Sequence, residues 1–440
     1  MKVVISSDVP VTKDACTLQS PVKVCMHVRG VARTDVRVMR EATALKEAGF
    51  VVSILDIECE SSRPVKEDIG GIHVKHMLKP DWLLPTRFKP FRFVKTMQKL
   101  IGSTLGLIMT QADIYHAHDV NALTPCYIAA RLRRKPLVFD AHEMPLYELE
   151  GMRRGWTRML ITQLVVGMVR RCAGVITISP LIVEEMHKRY HISDISLIRN
   201  ILPYHVAPRS NQLRQYLGLS SNVRIVLYSG NLQPDRTLDK LIRAARFLER
   251  DIVIVLMGGN VGSTQAELEA LVAMDGVADQ VKIIPPVSYE ELLDWTSSAD
   301  IGAIAYAPDY SINMRVQFPN KLFEYLMAGL PVLASQLPAI AEIIETYDVG
   351  RMLTSLEPAD IGAEINAMLA DRVGLERMQR NALLASQHDL NWEKESQVLL
   401  GLYHNILLKQ HGEQNRQETF SHPDPTSSHK GEHDAHPLRS

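Results

Sequence analysis

Short hydrophobic runs alternate along this chain with longer segments in which apolar positions recur every three or four residues, the pattern of buried strands alternating with amphipathic helices. Val22–Val28 reads as a first buried strand. After Arg29 and Gly30 a helix is expected over Val36–Ala48, with Val38, Ala42 and Leu45 on its buried stripe, Thr34 or Asp35 as its cap and Gly49 as its stop. Phe50–Ile57 returns as a second strand. Strand, glycine turn, helix, strand opens a parallel α/β domain, whose ligands gather beyond the carboxyl ends of the strands. Gly30 lies at that edge, without the repeated glycines of a dinucleotide fingerprint. Later strands close at Asp113–Asp119, Leu137–Glu143 and Gly174–Ser179, with helices over Met152–Cys172 and Leu181–Tyr190. The pattern pauses at Leu202–Ser210, where Pro203 and Pro208 mark a linker. It restarts with strands at Arg224–Ser229, Ile252–Met257, Val281–Ile284 and Asp300–Ala305, and a final helix runs from Asn391 through Leu408.

The most informative stretch is Val316–Ser335. It reads as a loop, a helix starting at Pro319 or Asn320, a stop at Gly329 and a buried strand over Pro331–Ala334. Leu322, Phe323 and Leu326 form the stripe that packs inward, while Asn320 and Glu324 share the other face beside the small Ala328. An ionisable carboxylate therefore sits near a helix start whose free N–H groups favour an anion such as a phosphate. Two histidines, His118 and His142, stand at successive strand ends, where an imidazole can meet a sugar hydroxyl or a phosphate oxygen.

With 440 residues the chain is long enough for two cores. The organisation expected is a loose leader over 1–20, a first domain over 21–201, a linker over 202–210, a second domain over 211–390, a terminal helix over 391–410 crossing back to the first domain, and a disordered tail over 411–440. A net charge of −1 gives no support to a nucleic-acid partner held through bulk charge. The 5 cysteines are scattered and odd in number, which suits reduced thiols rather than a disulfide framework or a structural zinc site. No secretory signal is visible and the most apolar helical segment, Met159–Val169, is too short to span a bilayer, so a cytoplasmic protein is expected. Between Lys79 and Lys99 aromatic residues interleave with cations, and basic residues gather at Arg131–Lys135 and Arg153–Arg154. That composition suits peripheral contact with an anionic membrane face, or else a loop and helix packed on the first domain. His429, His433 and His436 in the tail have no fold to hold a metal.

Pro319-Asn320-Lys321-Leu322-Phe323-Glu324-Tyr325, followed by Ala328-Gly329-Leu330-Pro331-Val332, resembles the donor-binding segment of retaining glycosyltransferases of family four. The resemblance spans about Val22–Leu408. It implies a GT-B fold, two Rossmann-like α/β domains facing across a cleft, with a nucleotide sugar, UDP- or GDP-linked, on the second domain and a glycan or lipid-linked acceptor on the first. It places Glu324 on the ribose hydroxyls and the helix start at Pro319, Asn320 and Lys321 against the pyrophosphate. Gly230 would let the backbone approach the diphosphate and Arg236 would pair with it, with Asn231 where a second basic residue is usual and Lys321 or Arg315 as further cations. Pro286 and Val287 would meet the base, and His142 the donor sugar. Gly30, Asp35, Arg37 and His118 would line the acceptor side. Many members carry a second glutamate where this chain has Val316, in the expected loop Asn313–Gln317, so which group touches the sugar hydroxyls near the transferred carbon stays open. No Asp-x-Asp motif is present, and the resemblance implies a reaction without metal or other cofactor, with Arg236 and backbone N–H groups stabilising the leaving diphosphate. A nucleotide-sugar epimerase and a non-catalytic glycosyltransferase-like subunit remain alternatives. The wording of the motif suggests bacterial surface polysaccharide assembly.

Overall fold

The alternation of strand runs and helices resolves into two sheets, each covered by helices, in a computed structural model that describes residues 21–58, 64–78, 89–145, 155–307 and 311–421. The first sheet takes β1 (Lys23–His27), β2 (Val51–Glu58), β3 (Lys66–Ile69), β4 (Ile72–Leu78), β5 (Ile114–His118), β6 (Leu137–Ala141), β7 (Gly174–Thr177) and β8 (Ser196–Leu197). Their order is β3-β4-β2-β1-β5-β6-β7-β8, parallel throughout except for the β3–β4 pair. The second sheet takes β9 (Arg224–Ser229), β10 (Ile252–Met257), β11 (Val281–Ile284), β12 (Ile301–Ile304), β13 (Val332–Ser335) and β14 (Gly350–Leu353), ordered β11-β10-β9-β12-β13-β14 and wholly parallel. The central strands β1, β5, β6, β7, β9, β10, β12 and β13 are almost wholly buried, as a parallel sheet covered on both faces demands, while the edge strands β3, β8 and β14 are more open.

Two apolar layers flank the first sheet. On one face lies the helix Val36–Glu47, together with the terminal helix Trp392–Ser421, which brings Leu399, Tyr403 and Ile406 into the same core as Val38 and Leu45. Helices Lys89–Met109, Val120–Arg133, Trp156–Val169 and Pro180–Tyr190 cover the other face through Leu107, Leu123, Val165 and Ile182. No helix among the described residues is long and apolar enough to cross a membrane.

Four departures from the sequence reading have physical causes. The β3–β4 hairpin was not expected; its signal is Gly70-Gly71, both at positive φ, with the Asp68 carboxylate accepting from the Gly71 N–H at 2.7 Å. Helix Trp156–Val169 is shorter than the expected Met152–Cys172; 146–154, including Arg153 and Arg154, lie outside the described residues. The terminal helix continues to Ser421, into the span expected to be disordered. Residues 411–421 include two Gln, two Glu and an Arg, with no proline before the helix ends, and good helix formers prolong a helix without an apolar stripe. The leader, residues 79–88 of the aromatic segment, and the three tail histidines lie outside the described residues.

The fourth departure bears on the site. Asn313–Gln317 is not a loop; Ile312–Val316 is a short helix capped by Ser311, whose hydroxyl accepts from Met314 N–H at 3.2 Å. Val316 is buried in the apolar cluster of the first domain, with Met144, Ile182 and Met186. Around it Asn313 donates to Glu143 at 2.8 Å and accepts from Met144 N–H at 3.3 Å, and Gln317 donates to the His142 carbonyl at 3.4 Å. Val316 is thus a latch between the domains. Replacing Val316 with Glu is expected to open this contact rather than add a sugar-binding carboxylate, because an unpaired carboxylate there costs on the order of 2 kcal/mol or more. Small-angle scattering should give a larger radius of gyration, with each domain still folded by circular dichroism. An unchanged radius with unchanged or raised turnover would refute the latch.

Candidate active site

The helix Asn320–Met327 is fixed from below. Pro319 precedes it in extended conformation, Ala328 ends it, and Gly329 follows at φ 68°. Tyr325 points into the core, where its hydroxyl accepts from Ser229 N–H at 2.9 Å and donates to the Leu227 carbonyl at 3.1 Å. Its ring lies so close to β12 that a Cβ at Gly302 would fall 2.3 Å from it, so a glycine there lets the helix seat. This anchoring sets the helix start at the carboxyl ends of β9 and β12.

A cleft of about 470 Å³ opens at that point between the domains. From the second domain its wall includes Gly230, Asn231, Arg236, Tyr306, Pro319, Asn320, Lys321 and Glu324; from the first it includes Asp35, Arg37, His142 and Asn200. Domain contacts close its rim: Asn200 donates to Asn320 at 3.2 Å and Arg40 donates to the Tyr289 hydroxyl at 3.1 Å.

Two cations converge on the helix start. The Lys321 Nζ lies 3.4 Å from the centroid of the Tyr228 ring, and the Arg236 guanidinium 4.7 Å from that of Tyr306. Gly230 adopts φ 123°, and a Cβ there would come within 3.1 Å of Lys321 Nζ, so glycine serves both the backbone turn and the ammonium. Guanidinium, ammonium and the first-turn N–H groups of the helix together form a site for a doubly charged anion. One turn along, Glu324 lies on the same wall, and its carboxylate takes no hydrogen bond from the described residues. Burial raises its pKa from 4.5 to about 7, against the opposing pull of Lys321 and Arg40. A half-buried carboxylate on the cleft wall is poised to accept hydroxyl donors from a ligand.

Across the cleft His142 is held by a buried ionic cluster. Asp140 accepts from Arg37 Nε at 2.8 Å and Nη2 at 2.7 Å, and from His142 Nε2 at 2.9 Å, with His118 Nδ1 at 3.2 Å. Burial alone would raise the Asp140 pKa, yet Arg37 and His142 pull it well below the usual carboxylate range. Burial likewise works against a charge on His142, but Asp140 outweighs it and the imidazole pKa is raised. Glu41, 3.1 Å from Arg37 Nη2, goes the other way: burial, and then Asp140, keep it protonated well above the ordinary range. Glu41, His116, His118 and Asp140 present donor atoms within 4.8 Å of one another, a set that could hold a metal ion. Arg37 already supplies the positive charge among them and engages both Asp140 oxygens.

Not every residue singled out from sequence faces the cleft. Arg37 reaches its floor, yet its guanidinium is committed to Asp140 and to the Ile198 carbonyl at 2.9 Å, so it is a structural cation rather than a free acceptor contact. His118 is fully buried behind His142, ring to ring with His116 at 4.4 Å, and does not line the cleft. Asp35 does, while capping its helix by accepting from Val38 N–H at 3.2 Å. Gly30 lies at the sheet edge, where its carbonyl accepts from Ile57 N–H at 3.2 Å, outside the cleft lining. Arg315 is exposed on its short helix, and Pro286 and Val287 follow β11; none of the three lines the cleft. Sequence reasoning missed Tyr228 and Tyr306 beneath the cations and Asp140 beneath His142. Only Asp140 had a signal, since it stands two residues before His142 at the same strand end.

The comparisons with known proteins follow the same domain division. Residues 34–203 match the model of Glycosyltransferase Family 4 and residues 210–384 that of Glycosyl transferases group 1, the junction falling in the linker. A D-inositol 3-phosphate glycosyltransferase from Nocardia farcinica is 25% identical over 402 residues, covering 86% of each chain. One from Streptomyces coelicolor is 30% identical over 200 residues, 43% of this chain and 42% of its own. Among solved structures, sucrose-phosphate synthase from Thermosynechococcus elongatus superposes with TM-score 0.72 at 17% identity, over 88% of this chain and all (100%) of that one. The Anabaena protein HepE, solved with UDP and glucose, gives 0.65 at 16%, over 87% and 100%. With two adjacent matches to glycosyltransferase models, one for each domain, on this two-sheet architecture, the chain is a glycosyltransferase with the GT-B fold, its first domain similar to Glycosyltransferase Family 4.

Proposed function

We infer that this glycosyltransferase takes a UDP- or GDP-linked sugar and passes it, with retention of anomeric configuration, to a hydroxyl of a glycan or lipid-linked acceptor. Convergence of Arg236, Lys321 and a helix N-terminus beside Gly230, with Glu324 one turn away, carries the reading. The diphosphate sits against the two cations and the ribose hydroxyls donate to Glu324. His142 faces the sugar, its raised pKa making it a cationic donor toward the oxygen that gains charge as the glycosidic bond breaks. Departure of the diphosphate is the main burden of the reaction, and prepaid positive charge at that point lowers its barrier. Arg236 and Lys321 take the place a divalent ion would otherwise fill, so turnover is expected without added metal. The family resemblance supports retention and a role in surface polysaccharide assembly.

A second acceptor class is favoured by the relatives' name, D-inositol 3-phosphate glycosyltransferase. Against a phosphorylated acceptor, Arg37 on the first-domain wall is committed to Asp140, and Asp35 and Asn200 are groups suited to hydroxyls.

Thermal unfolding with UDP, GDP and ADP in the presence of a chelator tests the donor site. A nucleotide at a hundred times its dissociation constant stabilises by about 2.7 kcal/mol. One of the uracil or guanine nucleotides should raise the midpoint clearly, and Arg236→Gln or Lys321→Gln should remove most of that rise. No response to any nucleotide by a folded protein would overturn the reading. The anomeric proton coupling of the product, measured by NMR, decides retention.

A further inference from the structure

We propose that the helical face of the first domain formed by Lys89–Met109, Val120–Arg133 and Trp156–Val169 is a docking surface for an anionic lipid bilayer. These helices lie side by side on one face of the sheet, and each already buries an apolar side against it through Leu107, Leu123 and Val165. A helix in that position normally turns charged residues to water. Here each presents a second apolar stripe outward, one residue per turn: Ile101, Leu105 and Met109 on the first, Ile128 and Leu132 on the second, Trp156, Leu160 and Leu164 on the third. Several stand far out, with Trp156 74% exposed, Met109 73% and Leu132 66%. Adjacent stripes make an apolar patch of the kind that marks an interaction site.

Charge identifies the partner. None of the three helices contains an aspartate or glutamate, whereas Lys95, Arg131, Arg133 and Arg158 lie within them and Arg134, Arg170 and Arg171 follow their ends. Two acids flanking the first two helices are engaged: Asp113 pairs with Lys135 at 2.9 Å, and Asp119 caps the helix Val120–Arg133. The next helix along the sheet, Pro180–Tyr190, has mixed charge, with Glu184 and Glu185 pairing with Lys188 and Arg189, and there the one-sign surface stops. Exposed apolar side chains among cations, without anions, suit entry into the headgroup region of a negatively charged leaflet. A second protein copy would bring the same positive field against itself.

The surface is separate from the cleft, so its test is independent of the donor-site reading. The full chain is floated with vesicles of phosphatidylcholine alone and of phosphatidylcholine mixed with phosphatidylglycerol. Binding is expected to the mixed vesicles, to weaken with added salt, to fall about fivefold for each charge removed in Arg131→Gln and Arg134→Gln, and to be lost in Leu132→Ser/Leu164→Ser. Circular dichroism and a cooperative thermal transition like the parent's should persist in all variants, showing that they fold. Absence of binding, or equal binding to both vesicles that ignores these substitutions, would overturn the proposal. So would a dimer seen by light scattering that Leu132→Ser/Leu164→Ser dissociates, since the face would then join two copies.

Discussion

Glu324→Gln is expected to make the ligand-free protein more stable at pH 8 while lowering donor kcat/KM by roughly 10² to 10³. The two effects have one origin. Burial raises the carboxyl pKa from 4.5 to about 7, so the folded state holds this proton more tightly than the unfolded chain. For an acid shifted upward, the sign runs against ionisation: below the unfolded value both states are protonated and nothing is lost, and stability then falls as pH rises through the interval up to about 7. Above that, the ionised group costs the folded state on the order of 2 to 3 kcal/mol. Glutamine has no such cost. Parent and variant should therefore unfold alike near pH 4 and separate progressively toward pH 8, with the variant higher. Turnover moves the other way, because two hydroxyl bonds to an ionised carboxylate, at roughly 1.5 to 3 kcal/mol each, are weakened together. Donor kcat/KM of the parent should fall as pH drops below 7, and that limb should vanish in the variant. Denaturant titration at several pH values, beside donor kinetics, reads both. A variant less stable at pH 8 and fully active would reduce Glu324 to a surface anion.

The segment carrying that prediction was legible in the sequence because its boundaries have backbone causes. Proline before and glycine after fix the helix Asn320–Met327, and its spacing puts Glu324 on the same wall as Asn320. His142 was legible as a strand-end residue in a parallel sheet. What governs these groups was not. Arg37 and Asp140 are 103 positions apart, and only the pairing of β5 with β6 beside β1 brings the helix Val36–Glu47 over them. Lys321 carries no local sign that its ammonium will lie on Tyr228, which belongs to a strand 93 residues earlier (321 − 228). Val316 illustrates the limit in the other direction. Read as a missing carboxylate it leaves open which group touches the donor sugar, whereas its burial in the other domain's core makes it a point of attachment.

Asp140→Asn should be among the most damaging conservative changes in the first domain, at about 3 to 5 kcal/mol, and Glu41 should set how damaging. Removing one partner of a buried pair strands the other charge, here the Arg37 guanidinium, which is almost wholly buried. Glu41 stands 3.1 Å from Arg37 Nη2, unaligned for a hydrogen bond and kept protonated by burial and by the nearby Asp140 charge. Once that charge is gone, the largest electrostatic obstacle to ionising Glu41 is gone with it, and Glu41 can take over part of the pairing. Glu41→Gln alone is therefore expected to cost under about 1 kcal/mol, while Asp140→Asn/Glu41→Gln should lose more than the sum of the two by at least about 1 kcal/mol. Arg37→Met/Asp140→Leu, which removes both charges, should recover much of the loss. The imidazole of His142 supplies an independent readout. Without the Asp140 carboxylate 2.9 Å away, its pKa should drop from its raised value, visible in an NMR titration of the ring protons. If the double variant is merely additive and the His142 titration stays where it was, the cluster is packing alone, and the charge on His142 has another source.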